Sequence, residues 1–329
     1  MRAAILHGPG DLRVEEVAEP DGEVLVTVEA ATACATDLKM LRHGHRVLGP
    51  YPARFGHETV GIREDTGERV LVGDSVACGD CPPCAAGRSQ LCEAMTWVLG
   101  GFAERIAAPA GALHRVPDGL HPAGAAMAEP LAAAVHAVAR AGTGGDAAVL
   151  GGGTMGLMLA RLLVLEGREV TLCDRHPRRR AQAEAFGARP VERLGRHELV
   201  MEAVGRPESW RAAIGGALPG ATVVLVGGCP SGCEVTLPSG PLHYAELDVR
   251  GAFHHTPAEI DRALALLACG DVDWRALEGE TIGLDGLHNA LLRPAAGEAR
   301  KLVVDPRLAG AALSASRRKF RGVLPDARP

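Results

Sequence analysis

With 329 residues, 47% of them hydrophobic and 23% charged, the chain has the make-up of a globular protein large enough for two domains. A net charge of −5 argues against nucleic acid or an anionic membrane surface as a partner. No run of about 18 apolar residues exists to cross a membrane, and the N-terminal MRAAILHGPGDLRVEE lacks the apolar segment of a leader, so a cytoplasmic location is expected.

Residues 1 to about 110 read as short strands, Ala3–Leu6, Val24–Val28, Thr59–Ile62, Arg69–Val76 and Phe102–Ile106, punctuated by Gly and Pro. Strand and helix do not alternate here, which predicts a compact β-rich domain. Ala-rich helical sequence around Leu131–Arg140 then leads into a different pattern. An apolar strand, Ala147 to Leu150, turns through Gly151-x-Gly153-x-x-Gly156 into a helix that carries Thr154 and Met155 at its start. A second strand, Val170 to Cys173, ends on Asp174, which lies 18 residues past Gly156. This order is that of a dinucleotide-binding unit. Gly151 permits the tight turn, Gly153 lets a pyrophosphate approach the backbone, and Gly156 lets the helix pack close on the sheet. The helix N-terminus offers N–H groups to the phosphates. Helices are expected over Arg178–Phe186, Glu208–Ala217 and Pro257–Ala268, with strands at Leu199–Ala203 and Thr222–Val226, which implies a doubly wound, mostly parallel sheet. A last strand, Leu302–Val304, is expected to return to the first domain, and residues 306–329 read as a tail, poorly ordered or docked on a partner.

Nine cysteines, an odd number with four clustered, argue against a secreted disulfide framework. Cys78, Cys81, Cys84 and Cys92 have the spacing of a closed four-thiolate zinc site, a structural one because no ligand position is left for substrate. An iron–sulfur cluster fits less well, since no fourth cysteine follows at the ferredoxin spacing. A second constellation is looser. Cys34 and His57 have 22 residues between them, and a catalytic zinc needs a third ligand and an open position. Glu129, in the apolar AAMAEPLAAA, and Glu58, beside His57, both compete for that place.

Taken together, these motifs resemble those of the zinc-dependent medium-chain alcohol and polyol dehydrogenases. Cys34-Ala35-Thr36-Asp37, Gly56-His57-Glu58-Thr59-Val60-Gly61 and the four-cysteine lobe are similar to that family's signatures, and Glu129-Pro130-Leu131 to its sorbitol and threonine dehydrogenase branch. The resemblance implies an α/β chain in which a GroES-like catalytic domain (1–130 and 270–305, zinc lobe 78–92) surrounds a Rossmann domain (131–269). It implies one catalytic and one structural zinc ion, and a small alcohol or ketone as substrate. Homodimers or homotetramers are implied as well. Thr36 would take the substrate proton, and Asp37 would orient His57. Lys39 stands where many members have the histidine that ends the proton relay, so Lys39, His43, His45 or water would replace it. The loops holding Val204 and Gly227 would touch the nicotinamide half of the cofactor. Asp174 repels a 2′-phosphate and favours NAD, whereas Arg175 and its neighbours leave NADP open. Met40, Trp97, Phe102 and His254 are candidate pocket walls. The expected function is hydride transfer between a secondary alcohol, polyol or cyclitol and NAD(P). The alternatives are a catalytically silent dinucleotide-binding protein and an NADPH-dependent reductase of a conjugated carbonyl.

Overall fold

In this computed structural model, residues 1–308 are described apart from 144, 294–296 and 298; the expected tail from 309 onward lies outside the described residues. The first β system is a seven-stranded sheet. Its main path runs Leu113–Arg115, Arg69–Val72, Glu58–Arg63, Val24–Ala33, Lys301–Val304, Glu278–Ile282, and Arg105–Ala108 pairs beside the N-terminal half of Val24–Ala33. Val24, Val26 and Val28 point inward by alternation, and Ala30 to Ala33 are buried on both faces because a core covers each side. Lys301–Val304 runs antiparallel to this central strand, so the chain's late segment completes its first sheet.

The second system is a six-stranded, all-parallel sheet. Its spatial order is Arg189–Val191, Val170–Cys173, Ala147–Leu150, His197–Glu202, Ala217–Leu225, Asp248–Gly251. Counted along the chain this is 3-2-1-4-5-6, the dinucleotide-binding order, with a switch point beside Ala147–Leu150. Val170–Cys173 is wholly buried, as a strand covered on both faces by helices must be. A continuous core runs from Val60 and Leu71 through Leu131 to Leu157 and Leu264, joining the two sheets across the helices Ala128–Ala139 and Pro257–Ala268. The latter helix starts on Thr256, whose hydroxyl and Glu259 carboxylate form a capping box around Pro257. No helix among the described residues is long and apolar enough to cross a membrane.

One helix was not expected: Ala35–His43, whose short polar sequence hides its one buried face. Three local expectations need correcting. The stretch Arg69–Val76 is broken at Gly73 and Asp74, and Ser75–Val76 pairs instead with Thr96–Trp97. The segment Arg178–Phe186 is α-helical only in Pro177–Gln182 and tightens to a 3₁₀ turn over Ala183–Phe186, stopped by the left-handed Gly187. Phe102 is no pocket wall. It is fully buried and packs edge-on against Phe55 beneath Gly56, where an added Cβ would lie 2.8 Å from its ring.

Candidate active site

Cys34 caps the helix Ala35–His43. Its sulfur accepts the Thr36 N–H at 3.2 Å, and its own N–H donates to Asp37 Oδ2 at 2.8 Å. The other oxygen of the fully buried Asp37 lies 3.3 Å from His57 Nδ1. One carboxylate thus caps the helix and sets the imidazole so that Nε2 faces the Cys34 sulfur, 3.5 Å away. Burial alone would lower the His57 pKa, but Asp37 and Cys34 outweigh it and raise it well above the ordinary value. The pocket's own charges therefore favour a cation between these donors, which is the fit expected of a metal site.

The two glutamates have different partners. Glu58 opens the strand Glu58–Arg63 with its side chain turned into the core. There Lys301 donates to Oε1 at 2.5 Å and the Thr32 hydroxyl donates to Oε2. Burial disfavours the Lys301 ammonium, yet the Glu58 carboxylate outweighs it and lifts the lysine above its ordinary value, while burial pushes the Glu58 carboxyl up against the pull of Lys301. Glu129 lies in the first turn of Ala128–Ala139, and His255 Nε2 lies 3.4 Å from its Oε1. Burial opposes its ionisation, but His255 and His57 hold its carboxyl down to about 2. Donor atoms of His57, Glu58 and Glu129 fall within 4.8 Å of one another, as do those of Cys34, Asp37 and His57.

His255 also lies 3.5 Å from Asp74 Oδ1. Its neighbour His254 adopts φ 63, a left-handed backbone uncommon for a non-glycine residue, and its Nε2 lies 2.7 Å from Ser75 Oγ. These contacts join the loop after Asp248–Gly251 to the first β system. Thr36, Met40, His57, Trp97, Glu129 and His254 open on one cavity of about 250 Å³. Lys39 is exposed on the same helix.

The four-cysteine lobe is set around short turns, Pro82–Ala85 and Ser89–Leu91. The sulfurs of Cys81 and Cys84 are 3.4 Å apart, those of Cys92 and Cys78 3.4 Å, and those of Cys81 and Cys92 3.9 Å. A zinc tetrahedron with bonds of about 2.3 Å has edges of about 3.8 Å, whereas a disulfide needs about 2.05 Å. Backbone N–H groups of Glu93 and Cys84 bring Cys81 down to about 7, so a thiolate forms readily there.

At the dinucleotide end, Gly151 has φ +109, and a Cβ on Gly156 would meet the Gly151 carbonyl oxygen at 1.7 Å. A Cβ on Gly153 would meet nothing within 4 Å, so the approach to the N-terminus of Thr154–Leu165 is open, as a pyrophosphate requires. Asp174 is buried beneath this turn: Gly152 N–H donates to Oδ2 at 2.8 Å and His176 N–H to Oδ1 at 2.7 Å. Arg175 is exposed and its side chain contacts His176, while Arg179 reaches Asp174 Oδ2 at 3.8 Å. Val204 closes on Gly151, whose added Cβ would lie 2.7 Å from Val204 Cγ2, and Gly227 packs on Gly205.

Two stretches match family models: residues 20–118 the alcohol dehydrogenase GroES-like domain, and residues 153–269 the zinc-binding dehydrogenase domain. An uncharacterized zinc-type alcohol dehydrogenase-like protein of Haemophilus influenzae is 31% identical, over 83% of this chain and 89% of its own. The chain belongs to the zinc-type alcohol dehydrogenase family. Sorbitol dehydrogenase of Bacillus subtilis is 27% identical over 89% of this chain and 93% of its own. A provisionally identified zinc-binding dehydrogenase of Sinorhizobium meliloti, solved bound to NADP, superimposes with a TM-score of 0.84 at 31% identity, covering 93% of this chain and 99% of that one. The dehydrogenase is thus a zinc- and NAD(P)-dependent oxidoreductase.

Sequence reasoning did not single out Lys301, His255, Asp74 or Glu202. Glu202 is fully buried, and its Oε1 accepts the N–H groups of Val204 and Gly205 at 2.7 and 2.9 Å, which shapes the loop facing Gly151. Its signal was present: a carboxylate ending an apolar strand needs partners, and the nearest donors are the backbone of the following turn. For Lys301, the one lysine in an otherwise apolar strand, the sequence offers a cue but no partner.

Proposed function

We propose that the dehydrogenase oxidises a secondary alcohol of a polyol or related substrate with NAD, and carries out the reverse reduction. Cys34, His57 and Glu129 would hold the catalytic zinc ion, and Cys78, Cys81, Cys84 and Cys92 a structural one. The observation that carries this reading is that Thr36, His57 and Glu129 line one cavity beside a dinucleotide fold, with His57 shared between a donor cluster that holds Cys34 and one that holds Glu129. Glu58 is the weaker candidate for third ligand, because Lys301 and Thr32 occupy its oxygens. The sorbitol dehydrogenase relative supports the polyol class. The same reading divides the chain near residues 130 and 270 and places a homodimer or homotetramer in the cytoplasm.

When bound, zinc supplies Lewis acidity to a substrate oxygen and the nicotinamide a hydride acceptor. Asp37 keeps His57 oriented, and His255 holds Glu129 toward the cavity. The Thr36 hydroxyl takes the substrate proton as it gives up its own outward, with His43, His45 or water as acceptors nearer the surface and Lys39 beside them.

The test is appearance of reduced nicotinamide on mixing zinc-replete protein with NAD or NADP and a panel of secondary alcohols, polyols and cyclitols. Silence across the panel from protein carrying both zinc ions would overturn the polyol reading. Two further results are expected. His255→Ala should weaken zinc at the catalytic site by about tenfold to a hundredfold, measured by chelator competition, because Glu129 loses the group that orients it. NAD should be preferred over NADP, and Asp174→Ser should lower kcat/KM with NAD by about tenfold to a hundredfold, the range of a charge-assisted hydrogen bond. Equal use of both dinucleotides by the unaltered enzyme would show that the Asp174 charge does not reach the ribose.

A further inference from the structure

Beside the Cys34, His57 and Glu129 donors stands a second cluster, made of Asp74, His254 and His255. Asp74 lies between Arg69–Val72 and Ser75–Val76 in the first β system, and the two histidines follow Asp248–Gly251 in the second. Neighbouring residues of an extended chain point to opposite sides, yet both imidazoles reach one carboxylate oxygen. The left-handed backbone at His254, φ 63, turns the chain so that they can. His254 Nε2 lies 3.7 Å and His255 Nε2 3.5 Å from Asp74 Oδ1, and the donor atoms of all three fall within 4.8 Å of one another.

Spacing, burial and access together give this cluster a chemistry. Hydrogen bonds span about 2.7–3.2 Å, whereas nitrogen and oxygen ligands of one tetrahedral ion, with bonds of about 2.0–2.2 Å, stand about 3.3–3.6 Å apart. The contacts to Asp74 Oδ1 lie past the first range and close to the second. Asp74 Oδ1 and His255 Nε2 are also buried without a hydrogen-bond partner, on side chains only 8% and 2% exposed. A carboxylate oxygen and an imidazole nitrogen left so need a partner, and one cation satisfies both. Asp74 and His254 line the catalytic cavity, so an ion can reach the cluster from that side. The His254 ring is held in place between Trp97 and His255, at centroid distances of 5.2 and 4.2 Å. The Ser75 hydroxyl, 2.7 Å from His254 Nε2, can donate to that nitrogen or turn its proton away from it.

We propose that Asp74, His254 and His255 bind a divalent transition-metal ion, separate from the catalytic and the structural zinc. Two imidazoles and a carboxylate suit zinc, iron, cobalt or nickel rather than magnesium or calcium. Three protein donors leave a coordination position, which water or a substrate oxygen from the cavity fills. With no thiolate in the set, the ion is held less tightly than at the two cysteine-bearing sites, so desalted protein keeps only their zinc. Glu129 Oε1, 3.4 Å from His255 Nε2, stands between this ion and the catalytic position. The proposal goes beyond the alcohol-oxidation reading and does not depend on it.

The experiment titrates desalted protein, its zinc counted beforehand, with cobalt(II), followed by calorimetry and visible absorption. Cobalt is the weaker binder at such donors, so resident zinc stays in place. One cobalt ion per chain is expected to bind with the zinc count unchanged. Asp74→Asn and His254→Asn should each weaken it by about a hundredfold or more, past the effect of a neighbour that only orients a ligand. Asparagine tolerates the left-handed backbone at position 254. Near-UV circular dichroism checks the fold, and His254→Gly takes the place of an asparagine variant that does not fold. No cobalt bound, uptake only as zinc leaves, or binding unmoved in either variant would overturn the site. Cys34→Ala separates the two readings: it should lose one zinc and keep the cobalt site. Cobalt lost there but kept in His254→Asn would put the ion at the catalytic position and end the proposal. If Cys34→Ala keeps all its zinc, the catalytic-zinc reading fails, while the Asp74 and His254 variants still decide this site.

Discussion

Replacing Cys34 with alanine is expected to take the dehydrogenase from about two zinc ions per chain to about one and to depress turnover by about three orders of magnitude or more. Cys34 supplies the soft donor that faces His57 Nε2 and would be a thiolate once zinc is bound; without it the imidazole and the Glu129 carboxylate would be left as a two-donor site. The fold should survive. Cys34 also caps the helix Ala35–His43, but a lost cap costs about 1 kcal/mol, and the helix keeps the Asp37 bond to the residue-34 N–H. The four sulfurs of Cys78, Cys81, Cys84 and Cys92 share no ligand with this site, so their ion stays. Elemental analysis and steady-state rates on the same sample check both halves. Full activity with two zinc ions retained would remove Cys34 from the mechanism.

The second large effect is on stability. Lys301→Met should destabilise the protein by about 3–5 kcal/mol, because it leaves the Glu58 carboxylate in the core with only Thr32 as donor. The cost comes from the orphaned charge rather than from the lost pair. Adding Glu58→Gln to Lys301→Met should therefore recover most of the loss, since a neutral amide bears burial better than an unpaired carboxylate. Thermal melting of the two single variants and the double variant is the measurement. A double variant as unstable as the sum of the singles would mean that the two side chains stabilise the core independently.

Much of the fold was legible before the structure because its signals are local. The boundaries of Pro257–Ala268 coincide with the expectation, since Thr256, Pro257 and Glu259 mark the helix start within four residues. The paired strands Ala147–Leu150 and Val170–Cys173 were bounded by glycines and by Asp174. Errors fell where neighbours override local preference. Ala217 reads as the end of a helix, yet it begins the strand Ala217–Leu225, because His197 recruits it into the parallel ladder. The polar helix Ala35–His43 was missed because its buried face is only Asp37, Met40 and Leu41.

The site divides along the same line. The cysteine lobe and the glycine turn were legible in the sequence, since spacing within a short stretch sets what a turn can bring together, whereas Cys34 and His57, candidate donors by type, meet only through the packing of two separate elements. The tertiary structure alone decided which glutamate faces the cavity. Lys301, 243 residues from Glu58, neutralises one, while His255 in the second domain holds the other toward the site. A buried charge takes its state from whatever charge folds against it, and residues so far apart in the chain meet only when the two sheets pack on their common core.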